Sequence, residues 1–212
     1  MMSATVVFDL DDTLVKEIDY LKSAFKAIAA KVDSAKNDSL FNQMLLWYQN
    51  KENVLQNIES LYGITVAELR QLYRSHYPHF SNASTVFTLL NSLKEKGFYI
   101  GLITDGYSLT QRNKIKSLGI EDLFDLIVIS EEFGSEKPNE NNYKVFHQFA
   151  TKYYYYIGDN TAKDFLAPNQ LGWISVCLLN NGENIHPQDF TKETVYLSQK
   201  TITDLNELFT FI

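Results

Sequence analysis

Five short apolar runs punctuate the chain, and each stops at a small or polar cluster. Thr5 to Phe8 ends at Asp9, Phe98 to Ile103 at Thr104-Asp105-Gly106, and Leu126 to Ile129 at Ser130-Glu131-Glu132. Tyr154 to Ile157 ends at Gly158-Asp159-Asn160, and Trp173 to Leu179 at Asn180-Asn181-Gly182. Short runs that are apolar at successive positions predict strands covered on both faces. Segments with helical spacing lie between them, such as Leu89, Leu90 and Leu93 ahead of Gly97, and Tyr143, Phe146 and Phe149. The alternation predicts an α/β fold, a doubly wound and mostly parallel sheet with helices on both faces. Ligands of such sheets sit beyond the carboxyl ends of the strands.

The spacing of the strand ends is uneven. From Asp9 to Thr104 is 95 residues, whereas Thr104 to Lys137 is 33 and Lys137 to Asp159 is 22. The shorter intervals suit single crossovers of about 30 residues, so the long one contains an insertion. Tyr20, Leu21, Phe25, Ile28 and Ala29 fit one amphipathic helix, Phe41, Met44, Leu45, Trp47 and Tyr48 a second, and Val54, Leu55, Ile58 and Leu61 a third. Thr65 with Glu68 predicts a capping box opening a fourth, which ends near His76-Tyr77-Pro78. The expected division is a core of residues 1–16 and 82–212, with a helical domain of residues 17–81 hinged near 15–18 and 78–84.

Composition narrows the partners. A net charge of −7 argues against nucleic acid or an anionic membrane surface, which need a basic footprint. No apolar run approaches the roughly 20 residues that span a bilayer, and no signal peptide opens the chain, so a soluble cytoplasmic protein is expected, as a monomer or small homo-oligomer. The single cysteine, Cys177, lies in an apolar run and is expected to be a core thiol. The four histidines have no paired ligand spacing, which argues against zinc.

Phe8-Asp9-Leu10-Asp11-Asp12-Thr13-Leu14 places three carboxylates where the first strand must surface. On an extended path Asp9 and Asp11 point the same way. Two like charges about 4 Å apart repel by about 4 kcal/mol at an effective dielectric near 20, so a cation is expected between them. Asp12 is expected to face away and satisfy local turn amides. The predicted strand ends also bring Thr104, Lys137, Asp159 and Asp164 toward Asp9 and Asp11.

The motifs DLDDTL, a strand ending in Thr104, EKP and GDNTAKD, in that order, resemble the haloacid dehalogenase superfamily of phosphohydrolases over residues 5 to about 180. The inserted helices resemble the helical cap of one subgroup. The resemblance implies a Rossmann-like core and Mg²⁺ held by the Asp9 carboxylate, the Asp11 backbone carbonyl and Asp159. It implies that Asp9 is the nucleophile forming an aspartyl-phosphate, and that Asp11 protonates the leaving oxygen and then activates water. Thr104, with backbone amides around Asp105 and Gly106, is expected to hold phosphoryl oxygens, Lys137 to add positive charge, and Asp164 to orient a metal water or Lys137. Gly158 and Gly106 are expected to allow close backbone approach.

The expected activity is Mg²⁺-dependent hydrolysis of small soluble phosphate monoesters. Alternatives are a phosphomutase, or a catalytically silent phosphate-binding or regulatory module, although the latter is expected to lose one of the four motifs and none is lost. Asp11 counts against a dehalogenase, because halide leaves without an acid. Phe80 to Val86 lacks the Pro-Gly turn that relatives often place there, which bears on the hinge and not on the chemistry. Tyr20, Lys22, Trp47, Tyr48 and Arg74 are candidate substrate contacts, as are His76 and His79 beside the hinge. The run Tyr153 to Tyr156 is expected to fill a central strand without a chemical role.

Overall fold

The protein is described by a computed structural model covering residues 4–212. Six strands, β1 (Ala4–Phe8), β2 (Tyr99–Thr104), β3 (Leu126–Ile129), β4 (Tyr153–Gly158), β5 (Ile174–Leu178) and β6 (Lys200–Ile202), form one sheet in the order β3-β2-β1-β4-β5-β6. Every pairing is parallel. The five expected strands are present. The sixth is three residues long with only Ile202 buried, too little apolar sequence to signal a strand.

The sheet is covered on both sides because its strands are apolar at successive positions and alternate faces. Val6, Phe8, Ile100, Leu102 and Ile157 pack toward Val86, Leu90 and Leu93 of α5 (Ala83–Glu95) and Ile115 and Leu118 of α6 (Ser108–Leu118). The intervening Val7, Ile103 and Tyr156 pack with Tyr143, Phe146 and Trp173 on the opposite side. Gly101 in β2 is required there: a Cβ would lie 2.1 Å from the Phe146 ring.

Between β1 and β2 the chain forms α1 (Glu17–Val32), α2 (Asn37–Gln49), α3 (Val54–Tyr62) and α4 (Val66–Ser75), with no strand. Asn53 caps α3, and α4 opens on the Thr65–Glu68 capping box. Leu21, Phe25 and Ile28 of α1, Met44 of α2, Ile58 of α3 and Leu69 of α4 form a hydrophobic cluster separate from those on the sheet. Tyr73 packs against both this cluster and the sheet cluster, and the Asn82 side chain donates to the Leu14 carbonyl at 3.0 Å, tying the two crossing segments together. The remaining helices, α7 (Ser130–Phe133), α8 (Asn141–Lys144) and α9 (Leu166–Gln170), are short.

β1 lies at the topological switch point: the chain goes from β1 to β2 on one side and returns to β4 on the other. A ligand crevice is expected outside the carboxyl end of such a strand, and Asp9 is the first residue beyond it.

Candidate active site

Asp9 continues the strand pairing, its amide donating to the Ile157 carbonyl at 2.8 Å. Its carboxylate is buried, 2.7 Å from the Lys137 ammonium, which lies 2.8 Å from Asp164 and donates to the Tyr156 hydroxyl at 3.2 Å. Those three partners account for all three ammonium hydrogens. The Tyr156 hydroxyl donates to Asp164 Oδ1 at 3.2 Å, while Asp164 Oδ2 accepts from the amides of Asp159 and Asn160. Both Asp164 oxygens are therefore committed to protein donors. Gly158 makes this possible, since a Cβ there would lie 2.5 Å from Asp164 Oδ2.

Burial, reinforced by Asp164 and Asp11 and opposed by Lys137, pushes the Asp9 carboxyl up to about 7. Burial and the charges of Asp9 and Asp164 push Asp159 up to about 8. For Lys137 burial disfavours the charge, but Asp164 and Asp9 outweigh it and hold the ammonium well above its ordinary value.

Asp11 has its own cation. Lys114 Nζ lies 2.6 Å from Asp11 Oδ1, and Gln111 Nε2 donates to Asp11 Oδ2 at 2.9 Å. Gln111 also donates to the Thr104 hydroxyl and to the Asp105 carbonyl. The Asp105 carboxylate accepts from the Lys137 amide and pairs with Lys163 at 2.8 Å, and the Gly106 amide donates to Ser130 Oγ. Each of the two carboxylates thus has a lysine of its own, Lys137 on Asp9 and Lys114 on Asp11.

The segment after β5 folds over the same end. Asn184 Nδ2 donates to Asp159 Oδ2 at 2.8 Å, its Oδ1 accepts from the Lys16 ammonium, and Gln188 donates to the Asp159 carbonyl. Asp12 adopts a left-handed φ of 56° and is buried; its carboxylate accepts from the Glu17 amide nearby and from the distant Ile185 amide. Its role extends beyond the local turn.

Asp9, Asp11, Thr104, Asp105, Asp159 and Lys163 line an inner cavity of about 110 Å³. An adjoining cavity of about 310 Å³ shares Asp11, Glu17 and Asp105 with it and extends to Tyr20, Arg70 and Arg74. Burial, followed by the charge of Asp11, pushes Glu17 up to about 7. Of the proposed substrate contacts, Tyr20 and Arg74 line the outer cavity. Trp47 and Tyr48 pack against the helical cluster, Lys22 and His79 are exposed, and His76 shares a hydrogen bond with Ser23.

Carboxylate oxygens of Asp9, Asp159 and Asp164 lie within 4.8 Å of one another. Because Asp164 is committed to protein donors, Asp9 and Asp159 are the members with oxygens left for a metal. Hard oxygens, pushed toward protonation by burial and then by one another's charge, form a donor set that fits a hard divalent cation.

Sequence reasoning missed Tyr156, Lys114, Gln111 and Asn184. A buried tyrosine hydroxyl requires a partner, so the position of Tyr156 two residues before Gly158 was one available signal. Gln111 and Lys114, three apart on one face of α6, have no motif to mark them.

A family model described as "Haloacid dehalogenase-like hydrolase" matches residues 6–177. The glyceraldehyde 3-phosphate phosphatase of Methanocaldococcus jannaschii is 27% identical, covering 96% of this chain and 97% of its own. The solved structure of the HAD-hydrolase YfnB from Bacillus subtilis superimposes with a TM-score of 0.66 at 17% identity, covering 99% of this chain and 98% of its own. A HAD phosphatase from Thermococcus onnurineus gives 0.63 at 18% identity over 98% and 96%. The strand order, the four motifs gathered at one end of the sheet and the match across most of its length together establish that this chain belongs to the haloacid dehalogenase-like hydrolase family.

Proposed function

We propose that this hydrolase is a Mg²⁺-dependent phosphatase of small soluble phosphate monoesters, acting through a phosphorylated Asp9. The observation that carries the reading is the separation of roles around two carboxylates. Asp9 sits at the floor of the inner cavity against Lys137, while Asp11 is held apart by Lys114 and Gln111. One carboxylate is placed to attack and the other to move protons.

Asp9 and Asp159, with the Asp11 backbone carbonyl, would hold Mg²⁺, which when bound supplies positive charge for a phosphate dianion and offsets repulsion among the carboxylates. An Asp9 carboxylate oxygen forms a bond to phosphorus as the bond to the ester oxygen breaks, and Asp11 gives that oxygen its proton. Asp11 then takes a proton from water as the water oxygen attacks phosphorus and the bond to Asp9 breaks. Lys137 supplies positive charge beside the nucleophile, and Asp164 and Tyr156 hold its ammonium in place. Thr104 carries a hydroxyl at the cavity wall for a phosphoryl oxygen. Asp11 also supports a phosphatase over a dehalogenase, because only the former needs an acid for its leaving group.

Several relatives are named glyceraldehyde 3-phosphate phosphatases, which makes that ester the first to assay. The test is turnover of phosphate monoesters with and without Mg²⁺, combined with trapping of phosphate on the protein. Mg²⁺-dependent turnover with an acid-stable, hydroxylamine-sensitive phosphoprotein is expected. Turnover undiminished in chelator, or by a protein whose Asp9 is asparagine, would overturn the mechanism.

A further inference from the structure

The outer cavity has an unbalanced wall. Two of the chain's three arginines, Arg70 and Arg74, line it from α4. They are four residues apart, so they stand on one face of that helix. The third arginine, Arg112, is ion-paired with Glu121 at 3.1 Å and Glu132 at 2.7 Å. Among the described residues neither Arg70 nor Arg74 has a carboxylate partner. The Arg74 guanidinium carbon lies 3.5 Å from the centroid of the Tyr107 ring, which fixes the group while leaving its N–H edge free.

The lysine and the two aspartates of the cavity are ion-paired. Lys114 is paired with Asp11 and Asp105 with Lys163. Glu17 also lines the cavity, among the charges of Asp11, Asp12, Lys114 and Lys163, and burial followed by Asp11 pushes it toward its neutral form. The side formed by α4 is therefore cationic in a chain whose net charge is −7. The cavity joins the inner one through Asp11, the residue assigned to protonate the leaving oxygen, so the alcohol portion of the ester extends toward the arginines. A volume of about 310 Å³ is at the lower end for ligand sites, which suits a small alcohol portion.

We propose that Arg70 and Arg74 bind a second anionic group, a carboxylate or a phosphate, carried on the alcohol portion of the phosphate ester. Arg74, half-buried and stacked on Tyr107, is the principal contact, and the exposed Arg70 supports it. The proposal rests on the phosphatase reading above. It gives that reading a substrate class: small esters with two anions.

The experiment measures kcat/KM for two substrate pairs matched in skeleton. 3-Phosphoglycerate and glyceraldehyde 3-phosphate differ by a carboxylate in place of an aldehyde. 1,3-Propanediol bisphosphate and propyl phosphate test a second phosphate. The readout is the ratio within each pair, which cancels any loss of active protein in a variant. A ratio above about ten for at least one pair is expected, and the pair that shows it identifies the anion. Charge-assisted hydrogen bonds make the expected loss in that ratio about 10- to 100-fold for Arg74→Gln, with a smaller loss for Arg70→Gln and partial recovery in Arg74→Lys. Ratios near one for both pairs, with propyl phosphate or glyceraldehyde 3-phosphate still hydrolysed, would overturn the proposal and leave the phosphatase standing. A high ratio unchanged in both glutamine variants would overturn the assignment to these arginines. No turnover of any of the four esters with Mg²⁺ would remove the phosphatase reading and the proposal with it.

Discussion

The two ends of this site are built on opposite principles. Around Asp9, the Lys137 ammonium and both oxygens of Asp164 are committed to protein partners, in surroundings 5% exposed or less at Asp9, Lys137, Asp159 and Asp164. Around Arg70 and Arg74, two cations border a cavity and have no carboxylate partner among the described residues. On the proposed reading the contrast follows from what each end does. Attack on phosphorus demands placement within a fraction of an ångström, which a saturated buried network enforces. Selecting a substrate by charge needs an unpaired group of the right sign and space beside it. On that reading the lower part of the site is specified from within, and the upper part is completed by what binds.

The sharpest way to break this contrast is Asp9→Asn. A neutral amide is a far poorer nucleophile, so turnover should fall by at least about 10⁴-fold, with circular dichroism and thermal melting showing a folded protein. Turnover within tenfold of wild type would mean that the buried network does not deliver the nucleophile.

Gly158→Ala tests placement without removing any reacting group. The new Cβ meets Asp164 Oδ2 at 2.5 Å, and that oxygen is held by two amides, so the carboxylate and Lys137 must shift together. Displacement of this kind costs about 10²-fold in kcat. A variant with normal kcat would show the network to be looser than its geometry indicates.

A third expectation sharpens the electrostatic side. Asp9 and Asp159, pushed up to about 7 and about 8, keep protons in the folded metal-free chain that the unfolded chain releases near pH 4. Their contribution to stability is present below pH 4 and is lost as pH rises through 7 to 8. Mg²⁺ takes the place of those protons, so it should raise the melting temperature more at pH 8 than at pH 5. Equal shifts at the two pH values, or none, would count against a metal held by these carboxylates.

The smallest effect belongs to Cys177. Its thiol is buried and pushed up to about 12 by burial and then by Asp159 and Asp164. At pH 8 about one thiol in 10⁴ is ionised, so a thiol reagent should be unreactive with the native protein and stoichiometric in denaturant. Rapid labelling of the folded chain would place this strand outside the rigid half of the molecule.

Much of the framework was legible because its signals are local. The apolar runs from Thr5, Phe98, Leu126 and Tyr154 announced strands through residues adjacent in sequence, and Thr65 with Glu68 announced the start of α4. β6 gave no such signal, being three residues long with two of them polar. Asn184 lies in an irregular segment whose only marks were turn residues, and it becomes meaningful when its amide reaches Asp159. Tyr156 looked like bulk filling for a buried strand, and it does fill that strand. Its hydroxyl acquires a second role when Lys137 and Asp164 come beside it. Arg74 was nominated only as a polar residue on an inserted helix, and Arg70 was not nominated.

The sequence by itself determined the five longer strands along the chain, the helical insertion and the four motifs, because hydrophobic period and strand-end chemistry are written in neighbouring residues. It also determined that Asp9 stands where the first strand surfaces, whereas the central place of that strand came from the sheet order. Only the tertiary structure decided which cation meets which carboxylate: Asp11 finds Lys114 across 103 residues, and Asp12 finds the Ile185 amide across 173. Such pairings depend on how α6 and the segment after β5 pack against β1, and no periodicity encodes a contact between groups so far apart. The same packing left Arg70 and Arg74 facing a cavity rather than a carboxylate, since a charge is unpaired only relative to everything the fold brings near it.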